Sequence, residues 1–146
     1  MSLAKIFDTA GSAMSANTVR LNTTASNLAN AESAASSIDE TYRARHPVFS
    51  AIQQQVQQLS FDTVGDGKGE AQGVQVLGIV ESDSPLQERY EPNHPLANEE
   101  GYVFYPNVNA VEEMTNMISA SKAYQMNVEV MNSAKSMMQR VLTLGQ

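Results

Sequence analysis

Apolar side chains recur at helical spacing through the last third of the chain. Met114, Met117, Ile118, Ser121, Tyr124, Val128, Met131, Ala134, Met138, Val141 and Leu142 follow one another mostly at steps of three and four. That is a broad stripe on one side of a helix, wider than a coiled-coil seam. No Pro or Gly interrupts residues 110–144, and Gly145 stands where a helix is commonly stopped. Asn109-Ala-Val-Glu112 supplies the start: an Asn can accept a bond from a free first-turn amide, and a Glu three residues on can reach back. About 35 helical residues at 1.5 Å each make a rod of roughly 50 Å. A domain this small cannot enclose such a stripe, so the rod needs another helix, its own or a neighbour's.

A second helical pattern occupies the other end. Leu3, Phe7, Ala10, Met14, Asn17, Leu21, Thr24, Leu28 and Ala31 alternate steps of four and three, a heptad register over nearly four repeats. Its occupants are weak: Asn17 and Thr24 are polar, Ala10 and Ala31 small, and Gly11 lowers helix propensity. This helix is therefore expected to order only against partner helices. Residues 31–37 read as a flexible loop.

Between the helices the pattern changes to short, β-like runs. Residues 42–49 suit a strand, with Pro47 favouring an edge position. Val48, Ile52, Val56 and Leu59 permit a short helix over about residues 50–59, with a strand as the alternative. Gly65-Asp-Gly-Lys-Gly69 is a turn signal. Residues 74–80 form the most strand-like run in the chain. Pro85, Pro92 and Pro95 then mark an irregular extended segment, and Tyr102–Tyr105 a last short strand. The expected fold is mainly α with a small β-rich insert, an α+β arrangement whose long terminal helices pack as a coiled-coil-like pair. Its units are residues 1–37 (helix and loop), 38–105 (β-rich middle domain) and 106–146 (long C-terminal helix).

Charge sharpens this division. Of the formal charge of −7, residues 1–30 carry +1, residues 31–107 carry −8 and residues 108–146 carry zero. Near-neutral ends and an acidic middle fit ends buried in an assembly with the middle facing water, and equally fit a solvated acidic monomer. No basic patch is available to neutralise phosphates, so nucleic-acid binding is disfavoured. No apolar run approaches a membrane span, and Asp8 with the polar residues after it breaks any signal-peptide core.

No constellation carries chemistry. The chain has no cysteine, which excludes disulfides and thiolate metal sites. Gly65-x-Gly67 lacks the third glycine of a dinucleotide loop, and Gly67-Lys68 lacks the flanking residues of a P-loop. A calcium loop starting at Asp62 would place Gly73 where the bidentate Glu belongs. His46 and His94 each precede a proline in extended segments and read as structural rather than as metal ligands. No enzyme activity, cofactor or metal is expected.

The termini also carry recognisable motifs. Arg20-Leu-Asn-Thr-Thr-Ala-Ser-Asn-Leu-Ala-Asn-Ala-Glu32 resembles the N-terminal signature of bacterial flagellar rod and hook proteins, whose core is Asn-(Ile/Leu)-Ala-Asn-Ala. Tyr105-Pro-Asn-Val-Asn109, followed by Glu112-Glu-Met114 and residues 119–128, resembles the C-terminal signature of that family. Tyr42-Arg43, Val48-Phe49, residues 73–81 and Tyr90-Glu-Pro-Asn-His-Pro95 are similar to the proximal-rod branch. Many relatives continue after Asn30-Ala31 with Thr-Pro-Gly-Tyr; this chain has Glu32-Ser33-Ala34, which fits that branch better.

The resemblance implies a structural subunit of the rod in the flagellar basal body, exported without a cleaved signal peptide and assembled helically into a torque-transmitting, export-conducting tube across the periplasm. It implies as partners other copies, other proximal and distal rod proteins, the adaptor between MS ring and rod, and the flagellar type III export apparatus, with no direct membrane insertion. Asn27, Leu28, Ala29 and Asn30 are expected to end the first helix and fix the following turn. Tyr105, Pro106, Asn107 and Asn109 are expected to cap the last. Met114, Ile118, Tyr124, Val128, Met131, Met138 and Leu142 are expected to pack against Leu3, Phe7, Met14, Leu21 and Leu28 of the same and adjacent subunits. The alternative is a soluble coiled-coil adaptor or chaperone for other helical proteins.

Overall fold

A computed structural model describes residues 3–53 and 71–144. Helix α1 spans Leu3–Ala29 and helix α2 spans Ala110–Leu144. Between them lie β1 (Arg45–Gln53), β2 (Ala71–Glu81), β3 (Gln87–Tyr90) and β4 (Tyr102–Tyr105). The bounds of α2 follow from its sequence. The Asn109 side-chain oxygen accepts from the amides of Val111 at 3.1 Å and Glu112 at 3.4 Å, and no helix breaker intervenes before Leu144.

The helices run antiparallel. Arg20 donates to the Asn116 side chain at 3.0 Å, while Ile6 lies against the Met126–Met137 stretch. Their buried residues are small or polar: Ala10, Ala16, Thr23, Thr24 and Asn27 on α1, Glu113, Ala120 and Ala134 on α2. The large heptad residues Phe7, Met14, Leu21 and Leu28 are only half-buried. Alanines let two backbones approach closely, so α1 turns its small residues inward and leaves the large ones at the margin of the pair. Thr23 donates back to the carbonyls of Val19 and Arg20, which satisfies its hydroxyl away from water.

β1 and β2 form a two-stranded antiparallel ribbon laid along α1. Such a ribbon is marginal by itself and takes its support from the helix beneath. Near its far end Gly73 comes so close to α1 that a Cβ there would sit 2.5 Å from the Ser12 hydroxyl, which accepts from the Val74 amide at 3.1 Å. The strand expected from residue 42 begins at Arg45. Ser50–Gln53 continue β1 rather than starting a helix, because pairing with Ala71–Gln75 fixes them; Val56, Leu59 and the glycine turn at 65–69 lie outside the described residues. Leu77 is the unpaired residue of a bulge opposite Val48 and Phe49.

β3 and β4 make a second small antiparallel pair. β3 falls in the segment expected to be irregular; its four residues are all exposed and show no alternation, so only β4 alongside makes it a strand. The loop after α1 is tied down as well, since Ala35 and Phe104 exchange both backbone bonds at 3.0 Å. Ala120 is fully buried in α2, and Ala120→Leu should push the helices apart. We expect a cost of about 1–3 kcal/mol in urea denaturation, whereas Ser119→Leu on the adjacent exposed position should change stability little.

Candidate assembly interface

The two terminal signatures meet at one short piece of chain. Asn27 in α1 is completely buried. Its side-chain oxygen accepts from the Arg45 amide and from the Tyr42 hydroxyl, both at 2.9 Å, and its NH2 group donates to the Arg45 carbonyl at 2.8 Å. One carboxamide thus pairs with both backbone groups of Arg45, as a residue on a neighbouring strand would. Asn107, from the segment before α2, accepts from the Ala44 amide at 2.8 Å and donates to the carbonyls of Ser84 at 2.9 Å and Ser82 at 3.2 Å. Ser82 closes the ribbon by donating its amide to the Ala44 carbonyl at 2.8 Å.

Ala44 and Arg45 are therefore held from one side by α1 and from the other by the lead-in to α2. A carboxamide donates and accepts through two separate atoms of one planar group, which suits Asn at each position. The Arg45–Glu81 ion pair at 2.9 Å is exposed and adds little. The Arg45 guanidinium also lies 5.5 Å from the centre of the Tyr42 ring.

Around this junction each remaining expected site residue has a definite place. α1 ends at Ala29, which is exposed, and the Asn30 side chain donates to the Ser26 carbonyl at 2.8 Å. Asn109 alone caps α2. Pro106 is buried, and Tyr105 lies under the Arg89 guanidinium, 4.6 Å from its ring centre, with its hydroxyl donating to Glu91 at 3.4 Å. The backbone of Leu3 begins α1.

On α2, Met117, Val128 and Met131 are half-buried, whereas Met114, Ile118, Tyr124, Met138 and Leu142 stand exposed. Val111, Met126, Val130 and Met137 are also exposed and were not singled out in the sequence. Val111, Met114 and Ile118 have the i, i+3, i+7 signature of a single face. Met126, Val130 and Met137 line a shallow groove of about 370 Å³ beside Ile6. Val111, Met114 and Ile118 thus stand on the side of α2 away from buried Ala120, whereas Met126, Val130 and Met137 border α1 at Ile6.

The histidines take structural positions. His94 accepts the Leu96 amide at 3.1 Å on its Nδ1, and His46 is exposed on β1 opposite Val80.

Comparison with known proteins accounts for the two signatures. A family model of the flagella basal body rod protein matches residues 7–32, and a model of the C-terminal region of flagellar basal body rod FlgEFG proteins matches residues 99–144. The flagellar basal-body rod protein FlgC of Salmonella typhimurium is 47% identical over 147 residues, covering the whole of both chains. The chain belongs to the flagellar basal-body rod protein family. FlgC proteins of Escherichia coli O157:H7 and Yersinia enterocolitica are 48% and 46% identical, again over the full length of both chains. The matched family regions include Asn27 at one end and Asn107 at the other, the two residues that hold Ala44 and Arg45 together. Among the described residues no helix is long and apolar enough to cross a membrane.

Asn27→Ala would orphan both backbone groups of Arg45 and leave the Tyr42 hydroxyl with Ser26 alone, 3.2 Å away. At about 1–3 kcal/mol for each unsatisfied buried group, we expect a loss of at least ~2 kcal/mol in urea denaturation. Asn27→Asp should rescue little of it, because a carboxylate oxygen would then face the Arg45 carbonyl.

Proposed function

We propose that this chain is a structural subunit of the proximal rod of the bacterial flagellar basal body, assembling helically with other copies and with related rod proteins. Full-length similarity to FlgC proteins supports the rod assignment. The observation that carries the mechanism is the set of large apolar side chains left exposed along α2. Its buried residues are Glu113, Ala120 and Ala134, while Val111, Met114, Ile118, Met126, Met137 and Leu142 are exposed. A monomer gains nothing from that arrangement, whereas a subunit whose neighbours supply the missing helices buries the whole set. At roughly 25 cal/mol per Å² of apolar area removed from water, covering even half of these side chains supplies the driving force for assembly.

In this reading the helix pair forms the packed part of the tube, and the β elements are attached to it through the Asn27–Asn107 junction. Other rod proteins, the adaptor joining the rod to the MS ring, and the export apparatus are the partners that the rod role requires. Catalysis has no part in this reading.

Ile118 is exposed in the free chain, so Ile118→Asp should leave urea stability of the purified protein within about 0.5 kcal/mol yet abolish swimming. Val128→Asp should also stop swimming, because it puts an unpaired carboxylate into a half-buried position. Glu99→Lys, on the exposed acidic surface, should swim normally. Motility in soft agar and rod content of isolated basal bodies read all three. Normal swimming of Ile118→Asp would overturn the packing scheme.

A further inference from the structure

Sulfur is distributed unevenly in this chain. There is no cysteine, and six of the eight methionines lie on α2. Four of the six stand in the open: Met114, Met126, Met137 and Met138 are 51%, 66%, 60% and 38% exposed. Met117 and Met131, like Met14 on α1, are half-buried. At 100° per residue Met138 lies on the same line of α2 as buried Ala120, while Met114 and Met126 lie about 120° to either side of it. Each apolar surface of α2 therefore contains an exposed thioether. Met114 stands with Val111 and Ile118, Met126 and Met137 line the groove beside Ile6, and Met138 stands one turn from Leu142. Leu would fill these places with nearly the same volume and the same preference for helix. What Met adds is a sulfur that oxidises.

We propose that these four thioethers are modification sites through which peroxide controls whether the chain can assemble. This rests on the rod reading, since the surfaces concerned are those that neighbouring subunits would cover. The sulfur lone pair takes one oxygen of hydrogen peroxide as the O–O bond breaks. The proton on that oxygen passes to the departing hydroxide, which leaves as water. Sulfur is oxidised by two electrons to the sulfoxide, and the peroxide is reduced by two.

The product carries a polar S=O where a thioether stood. Water solvates that group in the free chain, whereas under an apolar neighbour it finds no donor. Oxidation therefore acts on assembly and spares the fold. The buried residues of the helix pair contain no sulfur, and the Asn27 and Asn107 amides that hold Ala44 and Arg45 are inert to peroxide. Reduction of the sulfoxides restores the original surface, so the change is reversible. Protection runs the other way: a sulfur that a neighbour has closed over is out of reach, so the vulnerable form is the free chain.

Peptide mass mapping after brief exposure of the purified chain to hydrogen peroxide should find Met114, Met126, Met137 and Met138 oxidised about fivefold faster than Met14, Met117 and Met131. The oxidised chain should keep a cooperative urea transition. In isolated basal bodies the same four should react about tenfold more slowly than in the free chain. Function is read by competition within one cell. A variant carrying Met114→Leu, Met126→Leu, Met137→Leu and Met138→Leu is expressed beside the unsubstituted chain, and peroxide is added while rods are being built. The ratio of the two chains in isolated basal bodies should move about fivefold toward the variant. Met14→Leu, Met117→Leu and Met131→Leu together should give no such advantage. Should the fourfold variant enter rods poorly without peroxide, Met114→Leu and Met126→Leu singly give the same shift at smaller size. Equal oxidation of exposed and half-buried methionines, unslowed oxidation in basal bodies, or a ratio that peroxide does not move would each overturn the proposal. So would loss of the cooperative urea transition on oxidation, because the defect would then be one of folding. The rod reading has its separate test in Ile118→Asp and survives any of these failures.

Discussion

The spacing between α1 and α2 is the constraint on which everything else rests. α1 is enclosed by α2 on one side and by the β1–β2 ribbon on another, and neither neighbour could come close if α1 turned its large residues inward. Ala10, Ala16, Thr23, Thr24 and Asn27 make that double contact possible. Dispersion contacts along such a seam are individually weak but numerous, the Thr23 hydroxyl is satisfied within its own helix, and among the described residues no fully buried side-chain polar atom lacks a partner. What the seam leaves outside is equally consequential: the chain keeps its bulky side chains for surfaces it does not itself cover.

On this frame the β elements are fastened by carboxamides rather than by a hydrophobic core. Asn27 supplies a donor and an acceptor to Arg45, while Asn107 accepts from Ala44 and donates to the carbonyls after β2; the bonds are at 2.8–2.9 Å save the one to Ser82 at 3.2 Å. The ribbon beyond them is poorly covered: Val48, Phe49, Leu77, Ile79 and Val80 are all exposed, within the part of the chain whose acidic balance pointed to a solvated surface. Charge summed over a segment does not show which side chains of a two-stranded ribbon have a layer above them.

Much of this was legible in the sequence, and the failures have physical causes. α2 could be read almost to the residue, because an unbroken 3.6-residue period, an Asn cap and the absence of Gly and Pro all agree. β2 and β4 were visible as β-branched and aromatic runs. β3 was not, since Gln87–Tyr90 has no apolar alternation and exists only through its pairing with β4. Of the heptad positions of α1, the small Ala10 and Thr24 are buried while the large Phe7, Met14, Leu21 and Leu28 are half-buried, and Ala16, Thr23 and Asn27, one position before heptad residues, are buried as well. Of the expected site residues, Asn27, Asn107 and Asn109 could be picked out by motif. Their targets could not: nothing near Ala44 and Arg45 in the sequence shows that two asparagines, 18 and 63 residues away, converge on their backbone.

That convergence also sets how a force would travel through the molecule. A pull or twist applied to the ribbon reaches the rest of the chain along its contact with α1, where Val74 donates to Ser12, and at its base through Ala44 and Arg45. There it divides at once between the Asn27 amide on one helix and the Asn107 amide on the lead-in to the other. The two attachments act as springs in parallel, so neither helix can be peeled from the ribbon without straining the other. Stiffness at this joint is thus a property of the backbone and two side-chain amides, insensitive to the ionic strength and pH that would soften a joint made of ion pairs.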